Sequence, residues 1–279
     1  MQKKSTNNIG IIGCGWLGLP LAKALAECGF TINGSTTSPE KVKAIAESGI
    51  VPFLLQLDSQ KPVAVIGEFL NVDLLIINIP PGRSANSADF YVDKLAYLKS
   101  EILKSPVKKI IFISSTSVYA ENNNLQTEES RDFGDSAIAL RMLSAENVFT
   151  QLPNIKTTII RMAGLIGPER HPGRFFAGKK DIPNGLVPVN LIHLDDCIGI
   201  IHKIILEDLW NEVYNGAAPS HPSKMEFYDL ASKQLYGKNA DFVAEKGAFK
   251  IIDSTKIISK GYPFKHPDLL AWLQETHQN

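Results

Sequence analysis

The chain of 279 residues has few cysteines, no net charge and no long apolar run, and each absence excludes something. Cys14, Cys28 and Cys197 are odd in number and far apart, which makes neither a disulfide framework nor the paired spacing of a zinc site. Twenty-nine basic side chains balance 29 acidic ones, so no field of the whole molecule gathers nucleic acid or an anionic membrane. No stretch reaches the roughly 20 apolar residues of a spanning helix. Met1 to Asn8 is polar and leads straight into a strand-like segment, so a cytoplasmic location is expected. Internal repeats are missing too, and no polar low-complexity spacer accompanies the Gly- and Pro-rich stretch Gly164 to Pro188, which therefore reads as an active-site loop more than a linker. Any anion the chain binds must be held by a local site.

What is present is an alternation of short apolar runs with helix-like segments, the pattern of a parallel sheet covered on both faces. Ile9 to Ile12 reads as a strand, Gly15 to Glu27 as a helix with Leu17, Leu21, Ala24 and Leu25 at helical spacing, and Gly29 as its stop. Phe30 to Gly34, Val51 to Leu57 and Lys109 to Ile113 read as strands. So does Val72 to Ile79, which breaks at Pro80, Pro81 and Gly82. Helices are expected over Glu40 to Ser48 and Phe90 to Lys104. This order predicts an α/β fold of the Rossmann type, a doubly wound parallel sheet. Farther on, the polar stretch Glu121 to Asp135 reads as a surface loop, Ala137 to Thr150 as a helix and Thr157 to Met162 as a strand. Asn190 to Leu206 carries a strand and a helix, and the tail carries helices near Lys224 to Tyr236 and Pro267 to Gln274. The expected division is a Rossmann domain over 1–167, to which the chain returns at about 189–217, and a small C-terminal α/β substrate-binding part over 168–279.

Gly13, Cys14, Gly15, Trp16, Leu17 and Gly18 fit G-x-G-x-x-G between a strand and a helix, the setting that gives the pattern meaning. The first glycine permits the turn, the second lets backbone approach a pyrophosphate, and the third lets helix and strand pack closely. The helix N-terminus then offers N–H groups and partial positive charge to the phosphates. After the second strand an NAD binder carries an acid for the ribose 2′-hydroxyl. Here Ser35, Thr36, Thr37 and Ser38 occupy that region, with Thr36 in the acid's place and Lys41 following, which favours NADP over NAD. The same hydroxyls also suit a cap on the second helix at Ser38, before Pro39. Asp58, Asn78, Ile79, Pro80 and Ser114, at the carboxyl ends of later strands, complete the expected cofactor site.

From Ile113 through Ser114, Ser115, Thr116, Ser117 and Val118 to Tyr119 the chain resembles the extended short-chain dehydrogenase/reductases, the group that includes nucleotide-sugar epimerases and dehydratases. Arg161, the segment Gly164 to Pro168, the segment Asn190 to Asp196, and Val213 to Asn215 agree with it. The glycine spacing and the segment Arg170 to Phe175 are more similar to an atypical, YeeZ-like branch. The resemblance implies a redox step by a Ser/Thr, a Tyr and a Lys, in which the ammonium stabilises a phenolate. Ser115 matches the first of these; Ala137 stands where the Tyr belongs, and Arg141 where the Lys belongs. Tyr119 is the nearby phenol, and Arg141 suits ribose hydroxyls.

Arg170, His171 and Arg174 lie on a loop after a strand's carboxyl end and suit an anionic small-molecule substrate, with His193 as a further candidate; a merely solvated loop is the alternative. Cys14, near a helix start, reads as a small side chain filling a crowded turn. Leu95, Leu98, Leu140 and Leu143 would permit a homodimer, though a monomer is equally open. The function expected is an NADP-dependent oxidoreductase or epimerase-like enzyme, with no nucleic acid, membrane or metal partner. A dinucleotide-binding regulatory protein without hydride transfer stays open. A hydroxyacid dehydrogenase would require an all-helical second half, which the strand signals at Thr157 and Asn190 oppose.

Overall fold

The computed structural model describes residues 7–57, 63–80 and 87–276. Asp58, Pro81 and Gly82 lie outside the described residues. Strand β1 (Asn8–Ile12) leads to α1 (Gly18–Glu27), β2 (Thr31–Thr36), α2 (Pro39–Glu47), β3 (Val51–Leu54), the single turn α3 (Ile66–Phe69), β4 (Leu74–Ile77), α4 (Ser87–Ile102) and β5 (Lys109–Ser115). Then come β6 (Leu125–Gln126), α5 (Ala137–Thr150), β7 (Lys156–Met162), β8 (Gly164–Ile166), β9 (Leu191–His193), α6 (Leu194–Leu206) and β10 (Val213–Gly216). The chain ends with α7 (Lys224–Tyr236), β11 (Ile251–Ile252), α8 (Thr255–Ser259) and α9 (Leu269–Thr276).

Seven strands form one sheet in the order β10-β7-β5-β4-β1-β2-β3. The pairs β1–β2, β1–β4, β2–β3 and β4–β5 run parallel. Leu74, Leu75, Ile76 and Ile77 of β4 are all fully buried, as a strand covered on both faces requires. Strand order reverses between β1 and β4, the switch point where doubly wound sheets bind ligands. The Rossmann expectation therefore holds.

Two compact units divide the chain, and each re-enters it more than once. The first comprises Met1–Ser114, Ser136–Ile160 and Ile201–Val213. Its α1 buries Leu21, Ala22 and Leu25. Helices α4 and α5 pack on each other, and Leu95 and Leu98 are fully buried in this unit's core. That corrects their reading as part of a pairing surface, because a side chain spent on its own core cannot cover a second copy; Leu140 remains exposed.

The second unit comprises Ser115–Asp135, Arg161–Ile200 and Tyr214–Asn279. Its core gathers Ile166, Leu191, Phe227, Ala231, Leu269, Trp272 and Leu273. Two short parallel pairs, β6 with β11 and β8 with β9, brace it. Helix α7 begins on a reciprocal cap, Ser223 Oγ accepting from Glu226 N and Glu226 Oε2 accepting from Ser223 N, and stops on Gly237 in the left-handed region. The stretch expected as a surface loop, 121–135, is corrected here. It contains β6, and Gln126 and Glu128 are buried because their polar groups find partners inside the unit.

Candidate functional site

The glycine turn is built from backbone. Gly13 has φ +94°, and a Cβ there would run into the carbonyl oxygen of Asn78. A Cβ on Gly18 would strike the carbonyl of Gly13, so helix and turn touch main chain to main chain. Gly15 differs: a Cβ there would meet nothing within 4 Å. Neighbouring strands hold the turn in place. Gly13 N donates to Ser35 Oγ at 3.1 Å, Cys14 N to Ser35 O at 2.8 Å, and Asn78 Nδ2 to Gly13 O at 3.2 Å. Gly15 N closes onto Gly13 O at 2.8 Å, which delays regular helix to Gly18, three residues later than the spacing suggests. No side chain caps the N-terminus of α1.

Among the residues expected to select the nucleotide, Ser35 and Thr36 are buried. Ser35 braces Gly13, and Thr36 Oγ1 accepts from Ser38 N at 3.1 Å. Ser38 stands at the N-cap of α2, but its own side chain makes no capping bond, so the expected cap is displaced to Thr36. Thr37 and Lys41 are exposed. Cys14 packs under the turn, where burial pushes its thiol up to about 12, the behaviour of a filler and not of a nucleophile. Trp16 and Leu17 complete the turn, with Leu17 buried. Asn78, Ile79 and Pro80 follow β4, and Ile79 O accepts from Tyr91 Oη at 3.3 Å. Ser114, near the end of β5, donates to the buried Glu146 carboxylate at 2.5 Å.

The remaining candidates are placed unevenly. Arg141 lies on α5 in the first unit, and its Nη1 is buried without a hydrogen-bond partner among the described residues. Ser115 ends β5 in the second unit, half-buried, its hydroxyl accepting from Ser117 N at 3.1 Å. Tyr119 is buried, with both hydroxyl roles filled: it accepts from Arg161 Nη1 at 2.9 Å and donates to Asn215 Oδ1 at 2.8 Å. Arg161 also lies 4.9 Å over the Tyr119 ring. Burial raises the phenol's pKa, against the pull of Arg161. Both bonds of the Tyr119 hydroxyl are thus made within the second unit. Asn215 in turn donates from its backbone to Glu128 Oε1 at 2.7 Å, and Lys250 Nζ donates to Tyr119 O at 2.7 Å. Sequence reasoning missed Glu128 and Lys250, and Asn215 entered only through the family resemblance, because no local spacing links the three.

On the basic loop, Arg174 is exposed, donates to Glu169 O at 3.2 Å and lies over the Phe175 ring; Arg170 is half-buried. His171 caps a 3-10 turn at Pro172–Phe175 by accepting from Gly173 N at 3.1 Å. His193 is buried at the start of α6, where Nδ1 accepts from Asp195 N at 3.2 Å. Burial and the neighbouring His266 hold its imidazole down to about 4. His266 and Trp272 stand against it, at ring separations of 4.0 and 5.2 Å, and neither is legible as a partner from sequence.

Among the described residues no helix is long and apolar enough to cross a membrane. Residues 8–134 match the family model described as the NAD binding domain of 6-phosphogluconate dehydrogenase. The match ends before β7, β9 and β10, whose presence departs from an all-helical second half. Over 270 residues the chain is 36% identical to Protein YeeZ of Escherichia coli strain K12, covering 94% of this chain and 97% of that protein. Among solved structures, UDP-glucuronic acid 4-epimerase from Bacillus cereus in complex with NAD superposes with a TM-score of 0.78 at 19% identity, over 97% of this chain and 96% of that one. The human epimerase family protein SDR39U1 with NADPH gives 0.72 at 18%, over 98% and 99%. At such identities the two structures are similar in fold.

Proposed function

The chain belongs to the same family as Protein YeeZ, and from that membership and its glycine turn we propose an NADP-preferring oxidoreductase or epimerase-like enzyme acting on a small or nucleotide-linked anionic compound. The observation that carries the reading is the turn at 13–18. Main chain is packed against main chain beneath it, a Cβ would find open space at Gly15, and the helix start is left uncapped by side chains. These residues fit a dinucleotide pyrophosphate. The orphaned Nη1 of Arg141, in the same unit, is a buried donor for which a ribose hydroxyl is a suitable acceptor.

A bound dinucleotide supplies the hydride donor or acceptor. The chain's own residues do the rest. The α1 N-terminus stabilises phosphate charge, worth about 0.3–1 kcal/mol for each favourable contact. Thr37, Ser38 and Lys41 receive a 2′-phosphate, which the absence of an acid from Asn33 to Ser38 permits. Arg141 holds a ribose hydroxyl, and Ser115 donates a hydrogen bond to a substrate oxygen. Arg170 and Arg174 hold the substrate's anionic part as forked donors.

Fluorescence titration of the full chain with NADPH and NADH tests the reading. NADPH should bind more tightly, and Lys41→Glu should remove that preference while leaving NADH affinity unchanged. Failure of both nucleotides to bind would overturn the proposal, whereas equal affinities would overturn the 2′-phosphate preference alone.

A further inference from the structure

We propose that His193, Asp195 and His266 form a binding site for a divalent transition-metal cation of the zinc type. One ligand atom from each of the three lies within 4.8 Å of the others. A single carboxylate oxygen, Asp195 Oδ2, is 3.3 Å from His266 Nε2 and 3.7 Å from His193 Nδ1. Bonds of about 2.0–2.2 Å in a tetrahedral arrangement place neighbouring ligand atoms about 3.3–3.5 Å apart. The carboxylate is therefore already within a few tenths of an ångström of that spacing from both imidazoles. Closing the site draws the imidazoles together by about 1.5 Å at most. Two nitrogens and one oxygen are the donor set that suits a borderline cation and leaves a fourth position for water.

Residues outside the cluster hold it in shape. The neighbouring Asp196 is fully buried and spends its carboxylate on the segment that presents His266. It accepts from Tyr262 Oη at 2.9 Å, from Lys265 N at 2.7 Å and from His266 N at 3.0 Å. Trp272 packs against the ring of His193. Access is through Asp195, whose side chain is 45% exposed. The N-terminal end of α6 repels a cation, but the first-turn carboxylates of Asp195 and Asp196 reverse the local sign. His193 Nδ1 gives up its bond from Asp195 N when it ligates, and the Lys265 ammonium also opposes the ion. Affinity below that of a closed four-ligand zinc site follows. All these residues belong to the second unit, and the inference does not depend on a dinucleotide.

The test uses the full chain stripped with a chelator and titrated with CoCl2 and ZnCl2. Expected are one equivalent bound per chain, ligand-field bands of Co2+ that Zn2+ displaces, and a raised melting temperature. His266→Ala should weaken binding by at least about tenfold, and so should Asp195→Asn. The metal-free melting temperature of each variant reports whether it still folds. Should His266→Ala unfold, Asp195→Asn at its exposed carboxylate decides. No binding at stoichiometric metal, or binding unchanged in a folded variant, would overturn the site.

Discussion

The glycine turn of the first unit and the Tyr119 cluster of the second are built from opposite materials. At the turn the working atoms are main-chain N–H and C=O groups, and what matters is that side chains are absent from Gly13 and Gly18. In the cluster the working atoms are the side chains of Tyr119, Glu128, Arg161, Asn215 and Lys250, brought together from distant parts of the chain. A backbone device is fixed by a short run of residue types and admits no Cβ where main chain meets main chain, at Gly13 and Gly18. A side-chain device depends on the tertiary fold, and each member leaves its partners unsatisfied when removed.

The largest expected effect separates the two directly. Gly18→Ala forces a Cβ against the Gly13 carbonyl, so it should cost about 1–3 kcal/mol in urea denaturation and abolish NADPH binding. Retained binding would show that the turn yields and is not built on close contact. Tyr119→Phe comes next. With both hydroxyl bonds buried, stability should fall by about 1–3 kcal/mol while nucleotide affinity stays put. Lost turnover at unchanged stability would instead make Tyr119 a proton-transfer group and erase the contrast.

The smallest effect is a pH dependence at Glu128, whose pKa is raised chiefly by burial. The folded carboxyl gives up its proton at higher pH than the unfolded one. Its contribution to stability is therefore fully present below the ordinary carboxylate range and is lost as pH rises through the raised value. Glu128→Gln keeps an acceptor for Asn215 N and has no proton to lose. Its stability relative to the parent should climb across that interval and then level off, as read by denaturation at a series of pH values. Parallel profiles would show that Glu128 carries no such burden.

This contrast also explains what was legible in the sequence. Strands β1, β2, β4 and β5 and helices α1, α4 and α5 announce themselves by period and by Gly or Pro boundaries, because each buries a continuous face. Helix α7 was legible near Lys224 to Tyr236, and the structure bounds it by local chemistry, the Ser223 cap and the Gly237 stop. The start of α1 was misplaced because the bond from Gly15 N to Gly13 O belongs to the turn and not to the helix. Glu121 to Asp135 looked solvated since polar composition does not reveal buried partners such as Asn215. Leu95 and Leu98 show the reverse ambiguity: an apolar stripe does not say whether it faces its own core or another chain. His193 was visible, but His266 was not, because Asp195 and His266 stand 71 positions apart.

The parallel pair of β6 and β11 sets Leu125 against Ile251 across 126 positions, and each strand has the other as its sheet partner. Ribosomes add roughly 5–20 residues per second. On emerging from the tunnel, β6 therefore waits on the order of ten seconds for the segment that completes it. Through that interval Gln126 and Glu128 have no interior to enter, and their polarity keeps the unpaired strand hydrated. The composition that disguised this stretch as a loop thus guards it against premature association during synthesis.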